Sequence, residues 1–379
     1  MNTLATGVIF SNIHDSSLHD LTRMRSTAAI PFGCRYRLID FALSNMVNSG
    51  IFDVNIITHN NYHSLMDHIG SGKDWDLARR SGGVRFLPPF ITAYANAENS
   101  LYTTRLEALE SVNYSISSFN SKYVILSDCD VVCNIDLKEV LDKHIESEAD
   151  ATFVVKRIKA NPEMAKHSIF IDSDKKGNVT GFTYKPDRFD KEADASLNIT
   201  VINRSYLQEI VSEAISHHYW SLTRDIYMKD VSRKKYKVFK YKDPVAEFTS
   251  FEDYFNVSMD LIKNEKFFNH LFGNQDRPIY TKIRNSAPTY FSKNSYVKDS
   301  LIADGCVIEG SVENSILFRG VKVGKDTVVM NSILFQDTFT GENVTLQYVV
   351  SDKDVVIRDG VSISGHSTMP VYIEKGRML

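Results

Sequence analysis

The sequence has little cysteine, little net charge and no long apolar run, and each shortage closes off a class of protein. Four cysteines, at positions 34, 129, 133 and 306, are too few and too scattered for a disulfide framework. Cys129 and Cys133 have no second metal-ligand pair beside them, so buried reduced thiols are expected. The formal net charge of -3 at pH 7 offers no general attraction for nucleic acid. No apolar stretch approaches the roughly 20 residues that cross a bilayer. The opening Met1-Asn-Thr-Leu-Ala5 lacks the charged and apolar regions of a signal peptide. The expectation is a cytoplasmic protein that handles small molecules, with no nucleic acid and no membrane as partner. Glycine is missing where it matters most: Asn12-Ile-His-Asp-Ser-Ser17, directly after the β-rich run Thr6-Gly-Val-Ile-Phe10, has none.

What is present divides into two halves, as 379 residues exceed the usual reach of one core. Up to about residue 262, short β-rich runs such as Val54-Asn-Ile-Ile-Thr58, Tyr123-Val-Ile-Leu126 and Ala151-Thr-Phe-Val-Val155 alternate with helical patterns such as Asp136 to Glu148. Alternation of this kind predicts an α/β, Rossmann-like domain on a mostly parallel sheet. Ligands of open sheets bind at the carboxyl ends of strands, which points to residues 11–22, 127–134 and 184–187. From residue 289 to 379 the pattern changes to repeats. Asn314-Ser-Ile-Leu-Phe318 recurs verbatim as Asn331-Ser-Ile-Leu-Phe335, and apolar residues recur six apart at Ile302 and Ile308, Val323 and Val329, and Ile357 and Ile363. Three hexads close one triangular coil, so this half is expected to be a left-handed parallel β-helix, with 263–288 as the link. Open coil ends need capping or a partner, and an oligomer is expected.

The longest specific motif is Ile30-Pro-Phe-Gly-Cys-Arg-Tyr-Arg-Leu-Ile-Asp-Phe-Ala-Leu-Ser-Asn45, continuing through Met46-Val-Asn-Ser-Gly-Ile51. It resembles the bacterial glucose-1-phosphate adenylyltransferase (ADP-glucose pyrophosphorylase) family, a nucleotidyltransferase family, and the resemblance covers essentially the whole chain. It implies a GT-A-like nucleotidyltransferase domain followed by the β-helix. Adenylyl transfer needs donors around the triphosphate, a divalent ion, and a positive group at the charge that develops in the transition state. The family supplies the first with a strand-end loop of type Gly-Gly-x-Gly-x-Arg, whose glycines let backbone N–H groups approach phosphate. That loop falls on Asn12–Ser17, where every glycine and the arginine are absent and Asp15 brings the wrong sign of charge. The family's Lys-Pro falls on Thr27-Ala28, and its Gly-Thr-Ala-Asp-Ala motif on Thr104-Arg-Leu-Glu-Ala108. Removing one transition-state donor costs on the order of 10²–10³ in rate. No catalytic residue is therefore assigned.

Sugar-side positions do survive in the resemblance. Lys185 matches the lysine that binds the sugar phosphate, and Asp225, in Thr223-Arg-Asp225, matches the aspartate of Gly-Lys-Asp. The metal carboxylates match Asp130, with Asp128 a rival by a slip of two, and Glu247 in Val245-Ala-Glu-Phe-Thr249. Arg25, Arg35 and Arg37 fall in the family's activator-binding region, where guanidinium forks suit a sugar-phosphate effector; the competing role for Arg35 and Arg37 is to brace Asp40. The resemblance favours the family's D-type branch: a regulatory subunit, inactive or very weak alone, paired with a catalytic adenylyltransferase subunit in a hetero-oligomer, a tetramer. No cofactor is required of this chain, and Mg²⁺ enters through the catalytic partner. The alternative is an active adenylyltransferase with a divergent loop, for which Arg105 and Lys73 are the nearest substitute cations. A third reading takes the β-helix as an acyltransferase or assembly module, with His366 as a base. His59 with His63 and the pair His217-His218 lack a carboxylate at metal-site spacing and are expected to make ordinary polar contacts. The run Arg233-Lys-Lys235 is expected to be a solvated face.

Overall fold

In the computed structural model, residues 4–88, 102–159, 168–184 and 192–379 are described. Lys185 lies outside them. The first half is built on one nine-stranded sheet. Its centre is the wholly buried strand Ala5–Phe10, paired in parallel with Asp53–Ile57 on one side and Tyr123–Asp128 on the other. Gly83–Leu87 adds a fourth parallel strand beyond Asp53–Ile57. Strands covered on both faces read as continuous β-branched and aromatic runs, which is how the first three appear in the sequence. Glu192–Asn203 then runs antiparallel to Tyr123–Asp128 and to Ala151–Lys159. The carboxyl ends of Ala5–Phe10 and Tyr123–Asp128 are therefore neighbours, and the loops that leave these two strands start side by side.

The motif Leu38–Asn45 opens the helix Leu38–Asn48, whose first nine residues are buried. The Arg37 N–H donates to Asp40 Oδ2 at 3.0 Å, which caps the helix start. Asn45 donates to the Cys133 carbonyl at 3.0 Å and accepts the Ile135 N–H at 3.2 Å, so this helix fixes the loop beyond Asp130. Further along, Ser44 accepts the Tyr280 N–H and Asn48 donates to the Pro278 carbonyl. The segment 263–288 carries a helix, Glu265–Phe272, before it runs extended.

The second half is a left-handed parallel β-helix of three five-stranded parallel sheets. The verbatim repeat stacks upon itself: Ile316 pairs with Ile333 and Leu317 with Leu334, and the rings of Phe318 and Phe335 lie 5.1 Å apart. Asn314 and Asn331 occupy the left-handed region at corners, φ 45° and 48°, where asparagine is tolerated, and they hydrogen-bond to each other. The face carrying these residues packs on the helix Phe251–Lys263: Tyr254 meets Phe335, Phe255 meets Tyr348 and Phe251 meets Tyr372. One apolar core thus runs from the sheet into the coil. All four cysteines are free thiols, three of them buried. No described helix is long and apolar enough to cross a membrane.

Candidate functional site

Three strand ends converge on a small group of charged side chains. The loop after Ala5–Phe10 presents His14, and the end of Tyr123–Asp128 presents Asp128 and Asp130. The short strands Val131–Val132 and Ala246–Glu247 pair antiparallel with Glu247 opposite Val131, which brings Glu247 alongside. From the first turn of the helix Arg105–Ser111, capped by Thr104 and Glu107, Arg105 reaches across to Asp128.

These groups satisfy one another. Arg105 Nε donates to Asp128 Oδ1 at 3.0 Å and to Oδ2 at 2.9 Å, and its Nη2 also donates to Oδ2. His14 Nε2 lies 2.7 Å from Asp128 Oδ2 and 3.3 Å from Asp130 Oδ2. Asn198 donates to Asp130 Oδ2 at 3.1 Å, while Asp130 Oδ1 is buried without a partner. Burial alone would keep the His14 imidazole neutral, but Asp130 and Asp128 outweigh it and raise its pKa. Burial would raise Asp128 too; Arg105 and His14 hold it below the ordinary carboxylate range. Asp130 goes up through burial and the Asp128 charge. Glu247 is pushed up to about 7, chiefly by burial and then by Asp130, and accepts from the Ser168 hydroxyl at 3.3 Å.

The rest of the loop is equally turned inward. Asp15 Oδ1 accepts both the Thr27 N–H, at 2.7 Å, and the Thr27 hydroxyl, at 2.8 Å. Asn12 Oδ1 accepts from the Tyr102 hydroxyl at 2.9 Å. Asp15 and Thr27 are two of the positions at which the family pattern would face phosphate, and here they hold each other.

The Nucleotidyl transferase family pattern matches residues 8–243, and a GlmU-like C-terminal hexapeptide pattern matches residues 287–368. Glycogen biosynthesis protein GlgD of Bacillus subtilis (strain 168) is 35% identical over 375 residues, 99% of this chain and 97% of that protein. Glucose-1-phosphate adenylyltransferases of Bacillus cereus (strain Q1) and Bacillus anthracis are each 32% identical over 359 residues, 92% of this chain and 91% of theirs. The chain belongs to the nucleotidyl transferase family. Its relatives within that family include both GlgD and the adenylyltransferases.

The carboxylates that the resemblance matches to a divalent ion are already engaged within the protein. Mg²⁺ asks for near-octahedral oxygen ligands and usually keeps several waters. Here both oxygens of Asp128 hold a guanidinium, one oxygen of Asp130 holds an amide, and an imidazole stands between the two carboxylates. Between Asp128 and Asp130 the donor set does not fit Mg²⁺, while Glu247, the other carboxylate matched to the metal, accepts from the Ser168 hydroxyl. Arg105, proposed from sequence as a cation for the triphosphate, is spent on Asp128 instead. Lys73 stands exposed on the single turn Lys73–Trp75. Sequence reasoning had no role for His14; a titratable ring in a loop expected to be glycine-rich was the available signal.

At the position matched by resemblance to the sugar side, Asp225 Oδ2 accepts the backbone N–H groups of Trp220 and Ser221, at 3.0 and 2.8 Å. Those bonds, the Ser221 one first, hold its carboxyl low. The neighbouring Arg224 lies over the Tyr184 ring.

The three arginines separate. Arg25 is buried, with Nη2 on Asp352 Oδ1 at 2.5 Å and Nη1 on the Leu21 carbonyl at 3.1 Å, so its fork ties the first half to the β-helix. Arg37 is also buried and donates to the Ser64 carbonyl and hydroxyl at 2.6 and 3.0 Å; burial pushes it down to about 10. Asp40 is braced by the Arg37 backbone and by His68, whose Nε2 lies 2.6 Å away. Arg35 is exposed and lines a small open cleft at the seam of the two halves, together with Arg37, Arg284, Arg319 and Lys353. Lys353 is pushed down to about 7 by burial and then by Arg37, Arg25 and Arg284. Elsewhere, His59 packs edge-on against Tyr102, His63 pairs with the exposed Asp67, and His217 stacks on Tyr219.

Proposed function

We propose that this chain is a regulatory subunit, non-catalytic or weakly catalytic, of a glucose-1-phosphate adenylyltransferase. It raises the activity of a catalytic partner that makes ADP-glucose from ATP and glucose 1-phosphate for glycogen biosynthesis. The observation that carries this reading is the loop Asn12–Ser17: in place of N–H groups aimed at a triphosphate it has Asp15 and His14, both already bonded within the protein. The 35% identity to GlgD along almost the whole chain supports the placement in glycogen biosynthesis.

The mechanism is one of linkage. A subunit that binds the active conformation of its partner more tightly than the inactive one shifts the partner toward activity. The first coil of the β-helix offers a surface for such an assembly: Tyr290, Phe291 and Tyr296 are exposed there, and Ile283 is exposed on the link just before it. The cation-lined cleft at the seam is the place for an anionic effector such as a sugar phosphate, with Arg35 as its open fork and Arg25 and Arg37 as its supports. Mg²⁺ is supplied at the partner's site.

Pyrophosphate release from ATP and glucose 1-phosphate tests the proposal, measured for this protein alone, for the catalytic subunit alone, and for an equimolar mixture. The expected result is silence alone and enhancement in the mixture, with co-elution of the two chains. Robust turnover alone would replace this reading with that of an active enzyme; a mixture no faster than the catalytic subunit would end the regulatory one.

A further inference from the structure

We propose that Arg105 and His14 act as a built-in counter-cation, occupying between Asp128 and Asp130 the place that a divalent ion takes in a working nucleotidyl transferase, so that this chain neither needs nor binds a metal there. The inference deepens the non-catalytic reading above but rests on the side chains of this site alone.

Two buried carboxylates on adjacent strand-end positions repel each other and lose their hydration, so each needs a positive partner. A metal ion is one solution; the structure shows another. The Arg105 guanidinium lies along Asp128 and contacts both its oxygens, a planar fit that leaves neither oxygen free for an ion. His14 Nε2, between Asp128 Oδ2 and Asp130 Oδ2, is the single ring atom that reaches both carboxylates. Arg105 Nη2 is itself 3.3 Å from His14 Nε2, so the two cationic groups are adjacent and fill the same space. An ion arriving there would face a fixed guanidinium in a poorly solvated pocket, where like charges repel most strongly.

His14, Asp128 and Asp130 form the one cluster among the described residues whose donor atoms lie close enough together to ligate a metal. That makes the alternative concrete. Without Arg105 the same three groups would be a one-histidine, two-carboxylate site, and its carboxylates suit an ion such as Mn²⁺. With Arg105 present, Asp130 Oδ1 is the only oxygen of these two carboxylates left without a partner. A single open oxygen is one ligand where such ions take several. The position of Arg105 is not adaptable, since it sits in the first turn of a helix held by the Thr104 and Glu107 capping pair.

The consequence is a gain of binding on loss of a side chain. Mn²⁺ titration of the full-length protein, followed by electron paramagnetic resonance of the free ion, is expected to show no saturable binding to the parent up to millimolar ion. Arg105→Gln, which keeps hydrogen-bonding capacity but removes the charge, should acquire saturable Mn²⁺ binding at least tenfold tighter. Its melting temperature should then rise with added Mn²⁺ and fall with chelator, while that of the parent responds to neither. Adding Asp128→Asn to Arg105→Gln should abolish the gain. Arg105→Ala, which removes the guanidinium together with its stem, serves if Arg105→Gln does not fold; it should show a gain of the same sign. Parent binding as tight as that of the variants overturns the proposal, as does a folded variant set with no gain. Neither result depends on whether the catalytic partner is enhanced, so failure here and failure of the regulatory reading are read in separate experiments.

Discussion

Arg25 and Asp352 are 327 positions apart and meet, buried, where the two halves join. The Tyr372 hydroxyl donates to the other oxygen of Asp352 at 2.6 Å, so the carboxylate is fully used. Removing one partner of a buried pair strands the other charge at a cost of about 3–5 kcal/mol. Arg25→Ala should lower stability by about that amount, read as a shift in urea midpoint at unchanged slope; a change under about 1 kcal/mol would mean the pair is solvated. Asp15 makes the opposite case. Burial raises it to about 6 from an ordinary 3.8, against the pull of its Thr27 bonds. A raised acid stabilises the fold fully below its unfolded pKa, and that contribution is lost as pH rises through about 6. Asp15→Asn keeps the acceptor for Thr27 and removes the charge, so it should melt above the parent near pH 7.5, with the gap closing toward pH 5. A gap that widens on acidification would contradict the assignment. The loss of the phosphate loop could be read directly, because a missing glycine is visible in the sequence. The destinations of Arg105 and Arg25 could not, because each is fixed by a carboxylate distant in sequence.

The elements were legible where period and composition agree. Three of the four parallel strands appear as apolar runs, while Gly83–Leu87, with an arginine at its centre, does not. The repeated Asn-Ser-Ile-Leu-Phe segments announce stacked coils by themselves. Less visible is how closely the coils stack at their corners. A Cβ on Gly324 would lie 2.2 Å from the Gly341 carbonyl oxygen, backbone against backbone, with nothing flexible to yield. Gly324→Ala should therefore destabilise the β-helix by about 1–3 kcal/mol, as overpacking does, and thermal unfolding would show it. An unchanged melting temperature would mean the corner can open. Glu192–Asn203 illustrates the limit of reading: alternation with helices suggested parallel strands, but its direction is set by pairing with both neighbours, which its own residues do not encode.

At the scale of the molecule, the seam between the halves carries the charge that matters. Lys353 faces Arg37, Arg25 and Arg284 across it, with Asp352 opposing, and His68 stays neutral through burial. An anion in the cleft favours charged Lys353. Sulfate, whose own charge does not change over this range, should thus bind several-fold more tightly near pH 6 than near pH 8, and Lys353→Met should flatten that dependence. Calorimetric titration across the range decides it, and equal affinity at both ends would place the anion elsewhere. The same seam is closed by one continuous apolar core, from Tyr254 and Phe255 into Ile333, Phe335 and Val350. The two halves should consequently share a single melting transition: severing the chain at the joint is expected not to release two soluble pieces but to leave each with a bare greasy stripe and drive both into aggregates.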